Sequence, residues 1–575
     1  MKKVGDCILE KSRLRSSIRN AASRNAAFVI KNANIVNVFT EEIMHGDVAV
    51  RDGIILGIGS YSGREEYDAK GAFLCPGLID SHVHIESSMA HPSRFANLIL
   101  QQGTTTIIAD PHEIANVCGT DGIQYMLEQT EWLPLSVFMM LPSCVPCTAF
   151  ETSGAKITAK DMEQFLNHPR VLGLGEVMDY AATVAGEGEM LDKLQLFQKR
   201  PIDGHAPMLS GDALNAYCVA GPRTDHECSG FEEVLEKYRS GMRIHLRLGS
   251  ACRGIETIFR RIADTGLPLR HMQFCTDDKH LENIRDEGHI NYILRRAVAN
   301  GIDPVQAVQM ATINAAETYG LYGYGAIAPG YRADMVLFDN LTDFHPLLVV
   351  TDGQIFHPEA DLPIKPDPKI YNSVHLAPRK ANVLSLPVEG PMPVIHPVDG
   401  ELLTRLTMEE VPVRHGRFVA GNGLVKLAVL ERHHASGRVG LGILSGLPIQ
   451  SGAMATTVGH DSHNLIVAGD NDADMLIAID TLEECGGGYV VVSNGAVLAK
   501  LALPVAGLMS DAPLEEILKR QQELLQAAAL LGVNNTSDPF ITLSFLALPV
   551  IPDVRLTDMG VFDVTNMRFL QKPED

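Results

Sequence analysis

A chain of 575 residues is long enough for two to four domains and a large buried core. With 46% hydrophobic and 21% charged residues it has a globular composition, and a formal net charge of −22 leaves no basic field for a nucleic-acid partner. No apolar run reaches the roughly 18–20 residues that span a bilayer, and ten cysteines without a disulfide framework point to a reducing, cytoplasmic setting. Cys144-Val145-Pro146-Cys147 is the only Cys-x-x-Cys, and with no second pair it does not make a zinc or redox motif.

Residues 1–26 are rich in Arg, Lys and Ser but carry Asp6 and Glu10 and lack the apolar core of a signal peptide; a surface-lying or frayed terminal helix is expected, a transit peptide being the alternative. From 27 to 72 short strands alternate with turns: Phe28–Ile30, Ala33–Val36, Asp47–Val50 and Gly53–Gly59. A matching β-rich set returns at Ala333–Asp339 and Leu347–Gly353, so residues 27–72 and 326–385 are expected to build one small β-sandwich from both flanks of a central domain.

The central stretch, 73–325, repeats one unit: an apolar strand, a polar residue at its end, then a helical pattern. The strands run from Ala72 toward His82, then Thr106–Asp110, Ser136–Met140, Val171–Glu176, Pro201–His205, Thr224–His226, Met242–Arg247 and His271–Asp277. Eight β–α units favour a TIM-like (β/α)8 barrel, with its chemistry at the C-terminal ends of the strands. A linker is expected over about 356–390 and an additional C-terminal α+β domain over 390–575, with a strand at Tyr489–Val492 and a helix over about 513–531.

Six chemically capable residues stand at the predicted strand ends: His82 and His84 on the first, Glu176 on the fourth, His205 on the fifth, His226 on the sixth and Asp277 on the eighth. His82 and His84 are two apart, and strand alternation gives them one face. Four imidazoles and two carboxylates suit two divalent ions with one carboxylate bridging, and a site without thiolates suits manganese, iron or zinc. Cys275 lies one layer below Asp277 and reads as a packing thiol.

The segments Pro76–Met89, Ala109–Val117, Leu174–Met178, Asp203–Pro207, Thr224–Glu227 and Phe274–His280 make the chain resemble the amidohydrolase superfamily and, within it, the bacterial adenine deaminases. Ala311–Ala316 and Gly325–Asp334 are similar to the superfamily's closing helix and its return to the β domain. Gly459–Asn464 and Asp538–Phe540 are similar to the C-terminal domain particular to adenine deaminases. Where many amidohydrolases carry a carbamylated lysine on strand four, Glu176 stands here, as in adenine deaminases. Two departures are visible: Arg247-Leu248-Gly249-Ser250 where Arg-Glu-Gly-Ser is expected, and Cys147 where a small non-thiol residue is usual.

The resemblance implies hydrolytic deamination of adenine to hypoxanthine and ammonia, a metal-bound hydroxide attacking C6, with two Mn(II) or Fe(II) ions, Zn(II) being an alternative. It assigns His82, His84 and Asp277 to one ion and His205 and His226 to the other, with Glu176 bridging. The expected catalytic groups are Asp277, which shuttles the proton, Glu176 and His226; Asp278 should point away from Asp277 if the strand continues. Glu86 (with Ser87), His112, Glu113 and Asp278 are candidates for the purine edge, and His460, Asp461 and His463 for closing the site from the third domain. A homo-oligomer, simplest as a dimer, is implied. The rival readings are another amidohydrolase acting on a different cyclic amide or aminated heterocycle, and a scaffold that has lost its chemistry; no ligand position is missing for the latter.

Overall fold

The computed structural model describes residues 11–250, 254–358, 364–380, 382–398, 402–533 and 538–571. The first ten residues of the expected N-terminal extension lie outside these. Lys11–Ala22 form a helix with no buried residue, and Ala21 rests against Val29 and Ala49.

Strands from both flanks of the central domain share one mixed eight-stranded sheet. Ala26–Asn37, Glu42–Arg51, Ile54–Gly59, Gly63–Asp68 and Phe73–Pro76 come from one side, Met335–Phe338, Pro346–Thr351 and Gln354–Ile355 from the other. The join is Phe73–Pro76 running antiparallel to Met335–Phe338. Alternation decides which face each residue covers: Phe28, Ile30, Ala33 and Ile35 meet Val48, Val50, Met335 and Leu337 in one core, while Val29 and Ala49 face the terminal helix. The strand Gly63–Asp68 is not among the predicted ones. It pairs parallel to Ala26–Lys31 through its backbone, and its charged residues stay in water, so no apolar alternation announces it.

The central stretch carries parallel strands that we label β1 (Leu78–Val83), β2 (Thr104–Ala109), β3 (Ser136–Leu141), β4 (Val171–Val177), β5 (Ile202–Gly204), β6 (Thr224–Asp225), β7 (Arg243–Arg247) and β8 (Met272–Cys275). The first five pair in order as one sheet and the last three as another. Hydrogen bonds cross both seams: Arg223 N–H donates to Ile202 O at 3.1 Å, and Asp277 N–H to His82 O at 3.0 Å. Helices such as Pro92–Gln101 and His112–Gln129 connect successive strands. Every residue of β1, β2 and β3 is buried, as strands covered on both faces must be. The arrangement is of the TIM-barrel type.

Further along the chain, a second eight-stranded sheet runs from Met392 to Ala502. Along its strand Gly452–Thr456, Ala453 and Ala455 pack with Met475 and Ile479 of the helix Asp472–Glu484. Met454 points the other way, into the core that holds Ile517 and Leu524 of the helix Leu514–Leu530. This unit docks on the barrel by backbone pairing: His91 N–H donates to Ser510 O (2.9 Å) and Ser510 N–H to Met89 O (2.8 Å). The cysteines among the described residues are free, Cys144, Cys147 and Cys275 being buried.

Candidate metal centre

The seam between β8 and β1 assembles half of the site. Asp277 N–H donates to His82 O, and Asp277 O accepts from His84 N–H at 3.3 Å, so Val83 lies opposite Asp277 and both histidines flank it. Asp277 has a φ of 57°, in the left-handed region that interrupts a strand. β8 therefore does not run on, and the expectation that Asp278 points away is corrected: atoms of His84, Asp277 and Asp278 lie within 4.8 Å of one another.

Glu176, at the end of β4, is the focus. Its Oε1 lies 3.3 Å from His84 Nε2, 3.8 Å from His82 Nε2 and 3.2 Å from His112 Nδ1. Its Oε2 lies 2.7 Å from His205 Nδ1 and 3.2 Å from His226 Nε2. Asp277 Oδ1 faces His84 Nε2 at 3.0 Å and His82 Nε2 at 3.4 Å. The strand before Glu176 must pass close to Asp110, whose Oδ2 accepts the Glu176 N–H at 3.0 Å. A Cβ at Gly175 would stand 2.1 Å from that oxygen, which requires glycine there.

These residues fit divalent ions. Two donors bound at about 2.1 Å to one ion stand roughly 3.0–3.4 Å apart at right-angled to tetrahedral angles, and most of the separations above fall near that range. His84 Nδ1 sits 2.8 Å from Asp110 O, which places its proton there and frees Nε2 as a ligand. His82 Nε2 is buried without a hydrogen-bond partner. Burial raises the Glu176 carboxyl, but hydrogen bonds from His112, His205, His226 and His84 outweigh it and hold the group well below the usual carboxylate range. Burial likewise raises Asp277, and Arg247, His82 and His84 bring it well below. In return His84 and His226 are drawn well above the ordinary imidazole value despite their burial, by Asp277 and Glu176 and by Glu176 and Glu227 respectively. Carboxylates that keep their charge and draw protons onto neighbouring imidazoles favour cations, and a bound metal displaces such protons.

The other expected residues have distinct places. His112 joins the cluster itself, grouped with Asp110 and Glu176. Glu86 is buried, and its Oε1 accepts Ile114 N–H (3.2 Å) in the first turn of the helix His112–Gln129. Burial pushes its carboxyl up to about 7. Glu113 is gripped from the C-terminal unit by His460 Nδ1, 2.6 Å from its Oε1, and by His463 Nε2 on its Oε2. Asp461 approaches His112 at 4.0 Å. Sequence reasoning missed Asp110 and the bracket formed by Glu227 and Arg247. Arg247 Nη1 lies 2.6 Å from Asp277 Oδ2 and 2.5 Å from Glu227 Oε1, and Glu227 Oε1 is 3.3 Å from His226 Nε2. The signal was present: Asp110 ends β2 as Glu176 ends β4, and Glu227 directly follows a candidate ligand.

A barrel-type fold with this cluster at its strand ends defines an amidohydrolase, and the model described as amidohydrolase family matches residues 73–356. The model described as adenine deaminase C-terminal domain matches residues 401–568. Proteins named adenine deaminase match almost end to end. That of Desulfitobacterium hafniense (strain Y51) is 44% identical over 96% of this chain and 98% of its own. The one from Clostridium acetobutylicum is 44% identical over 95% and 98%, and the one from Geobacillus kaustophilus (strain HTA426) 44% over 97% and 99%. The chain belongs to the adenine deaminase family.

Proposed function

We propose that this protein hydrolyses adenine to hypoxanthine and ammonia, replacing the exocyclic amine at C6 with oxygen from water. The observation that carries the chemistry is Glu176 with Oε1 facing His82 and His84, which Asp277 also meets, and Oε2 facing His205 and His226; the relatives' names supply the base. His82, His84 and Asp277 would hold one divalent ion, His205 and His226 the second, with Glu176 between them, and we assign Mn(II) or Fe(II). Bound there, such ions act as Lewis acids and lower the pKa of water.

An amine leaves poorly until protonated. Asp277 is the group that takes up a proton and returns it to the departing nitrogen, because Arg247 holds its Oδ2 while Oδ1 faces the cluster. His226, between Glu176 and Glu227, keeps the second half of the cluster in register. Asp278 and His112 frame the purine edge, Glu113 contributes through His460 and His463, which hold its two oxygens, and Glu86 through the helix whose first turn it holds. On this reading residues 73–325 are a closed (β/α)8 barrel, 27–72 with 326–385 its β-sandwich and 390–575 the family's α+β domain, in a cytoplasmic homodimer.

The Mn(II)-loaded protein should consume adenine with matching release of ammonia, and Glu176→Gln should lower kcat by about 10³ or more. Full metal loading without turnover of adenine would leave the cluster standing and overturn the substrate.

A further inference from the structure

A cleft opens between the barrel mouth and the C-terminal unit. Ser87 and Asp278 line it from the barrel, and Val458, His460, Tyr489 and Phe545 from the other side. Its barrel wall is the edge of the metal cluster, since Asp278 groups with His84 and Asp277. A purine is flat, apolar on its faces and polar around its rim, so it needs an aromatic or aliphatic wall as well as polar groups in its plane. The cluster supplies imidazoles and carboxylates; the aromatic wall is on the C-terminal side.

That wall is held in place from behind. The His460 ring stacks on Phe545, with centroids 4.5 Å apart and planes 24° from parallel, while its Nδ1 reaches Glu113. His463 Nδ1 accepts the Gly459 N–H at 3.2 Å, so its proton is on Nε2, which donates to Glu113. Arg432, fully buried, donates to His463 O and, at 3.0 Å each, to Ser373 O and Ala506 O. His433 Nε2 donates to Ser462 O at 2.7 Å. A wall anchored this way is pre-organised, which lowers the entropy lost on binding.

We propose that the purine ring is held in this composite cleft, the C-terminal unit supplying its aromatic wall through Phe545 and His460 and the barrel its edge contacts through Asp278 and Ser87. The proposal rests on the adenine reading above. Phe545 is half-buried, so replacing it should act on the base more than on the fold.

The test uses the full-length Mn(II)-loaded enzyme, steady-state kinetics with adenine and calorimetric binding of hypoxanthine. Phe545→Ala should raise KM about tenfold and weaken hypoxanthine by a similar factor, with kcat changed less than about threefold and wild-type metal content. Phe545→Leu should fall between, and it carries the test if the Ala variant folds poorly. Unchanged KM and hypoxanthine affinity in a metal-replete Phe545 variant, beside an active wild type, would overturn the cleft alone. A metal-replete wild type that neither converts adenine nor binds hypoxanthine would instead overturn the substrate reading, and the cleft proposal with it.

Discussion

The two halves of the candidate metal cluster are built by different means. At the β8–β1 seam the backbone does the positioning: the hydrogen bonds on either side of Val83 set His82, His84 and Asp277 side by side. At β5 and β6 the strands are three and two residues long and offer little ladder. There buried side chains take over. Asp225 Oδ1 accepts Ala206 N–H at 2.9 Å, and Lys237 Nζ donates to Ala206 O at 2.6 Å and to Asp225 Oδ2 at 2.9 Å, tying the loop that carries His205 to the strand that carries His226. Tyr217 OH accepts His205 N–H at 3.0 Å and donates to Val177 O at 2.7 Å. The His205 side chain is 23% exposed against 1% for His82. A ladder resists single substitutions because no side chain carries it, whereas a side-chain network can be removed piece by piece.

The contrast can be broken most severely at Lys237. Lys237→Met leaves the fully buried Asp225 without its cation, which should cost about 3–5 kcal/mol. Metal analysis of the purified variant should show loss centred on the β5–β6 half, toward about one ion per chain. Equal loss from both halves would mean that they are not built independently. Adding Asp225→Asn removes the stranded charge and should recover part of the stability in denaturant melts.

Tyr217→Phe is a gentler cut through the same network. It removes one acceptor and one donor behind His205 while keeping the ring, so metal affinity should fall about 10- to 100-fold. Saturating metal should restore most of kcat. If metal titrations of wild type and variant superimpose, the hydroxyl does not position His205.

The smallest effect on activity is expected on the seam side, at His91, which opens the helix after β1. Its ring accepts Ser93 N–H at 3.2 Å, and burial, with Arg94 nearby, pushes its pKa down to about 4. A lowered folded pKa means that this contribution is fully present above the unfolded value near 6.5 and is lost as the pH falls through about 4. Asparagine caps without titrating, so the stability lost by the wild type between pH 7 and 4.5 should exceed that lost by His91→Asn by about 2–3 kcal/mol. Parallel stability–pH curves would show that His91 is not held neutral.

Much of the architecture was legible in local pattern. Strands buried on both faces read as apolar runs, and a ligand at a strand end is visible because histidine and carboxylate are rare in such company. Gly63–Asp68 was invisible because an edge strand can be held by backbone bonds alone, whatever its side chains. Asp278 was misdirected because alternation assumes a strand that continues, and the left-handed Asp277 ends it.

The sequence by itself determined the family and which residues are candidates for metal ligands, since both depend on residue identity at short spacing. Only the tertiary structure decided that Arg247 bridges Asp277 and Glu227, that Lys237 ties the loop after His205 to the strand end before His226, and that His463 meets Glu113 across 350 positions of chain. Contacts of that range follow from how the C-terminal sheet docks on the barrel, and docking is set by the joint shape of two packed cores, which no periodicity along either segment records.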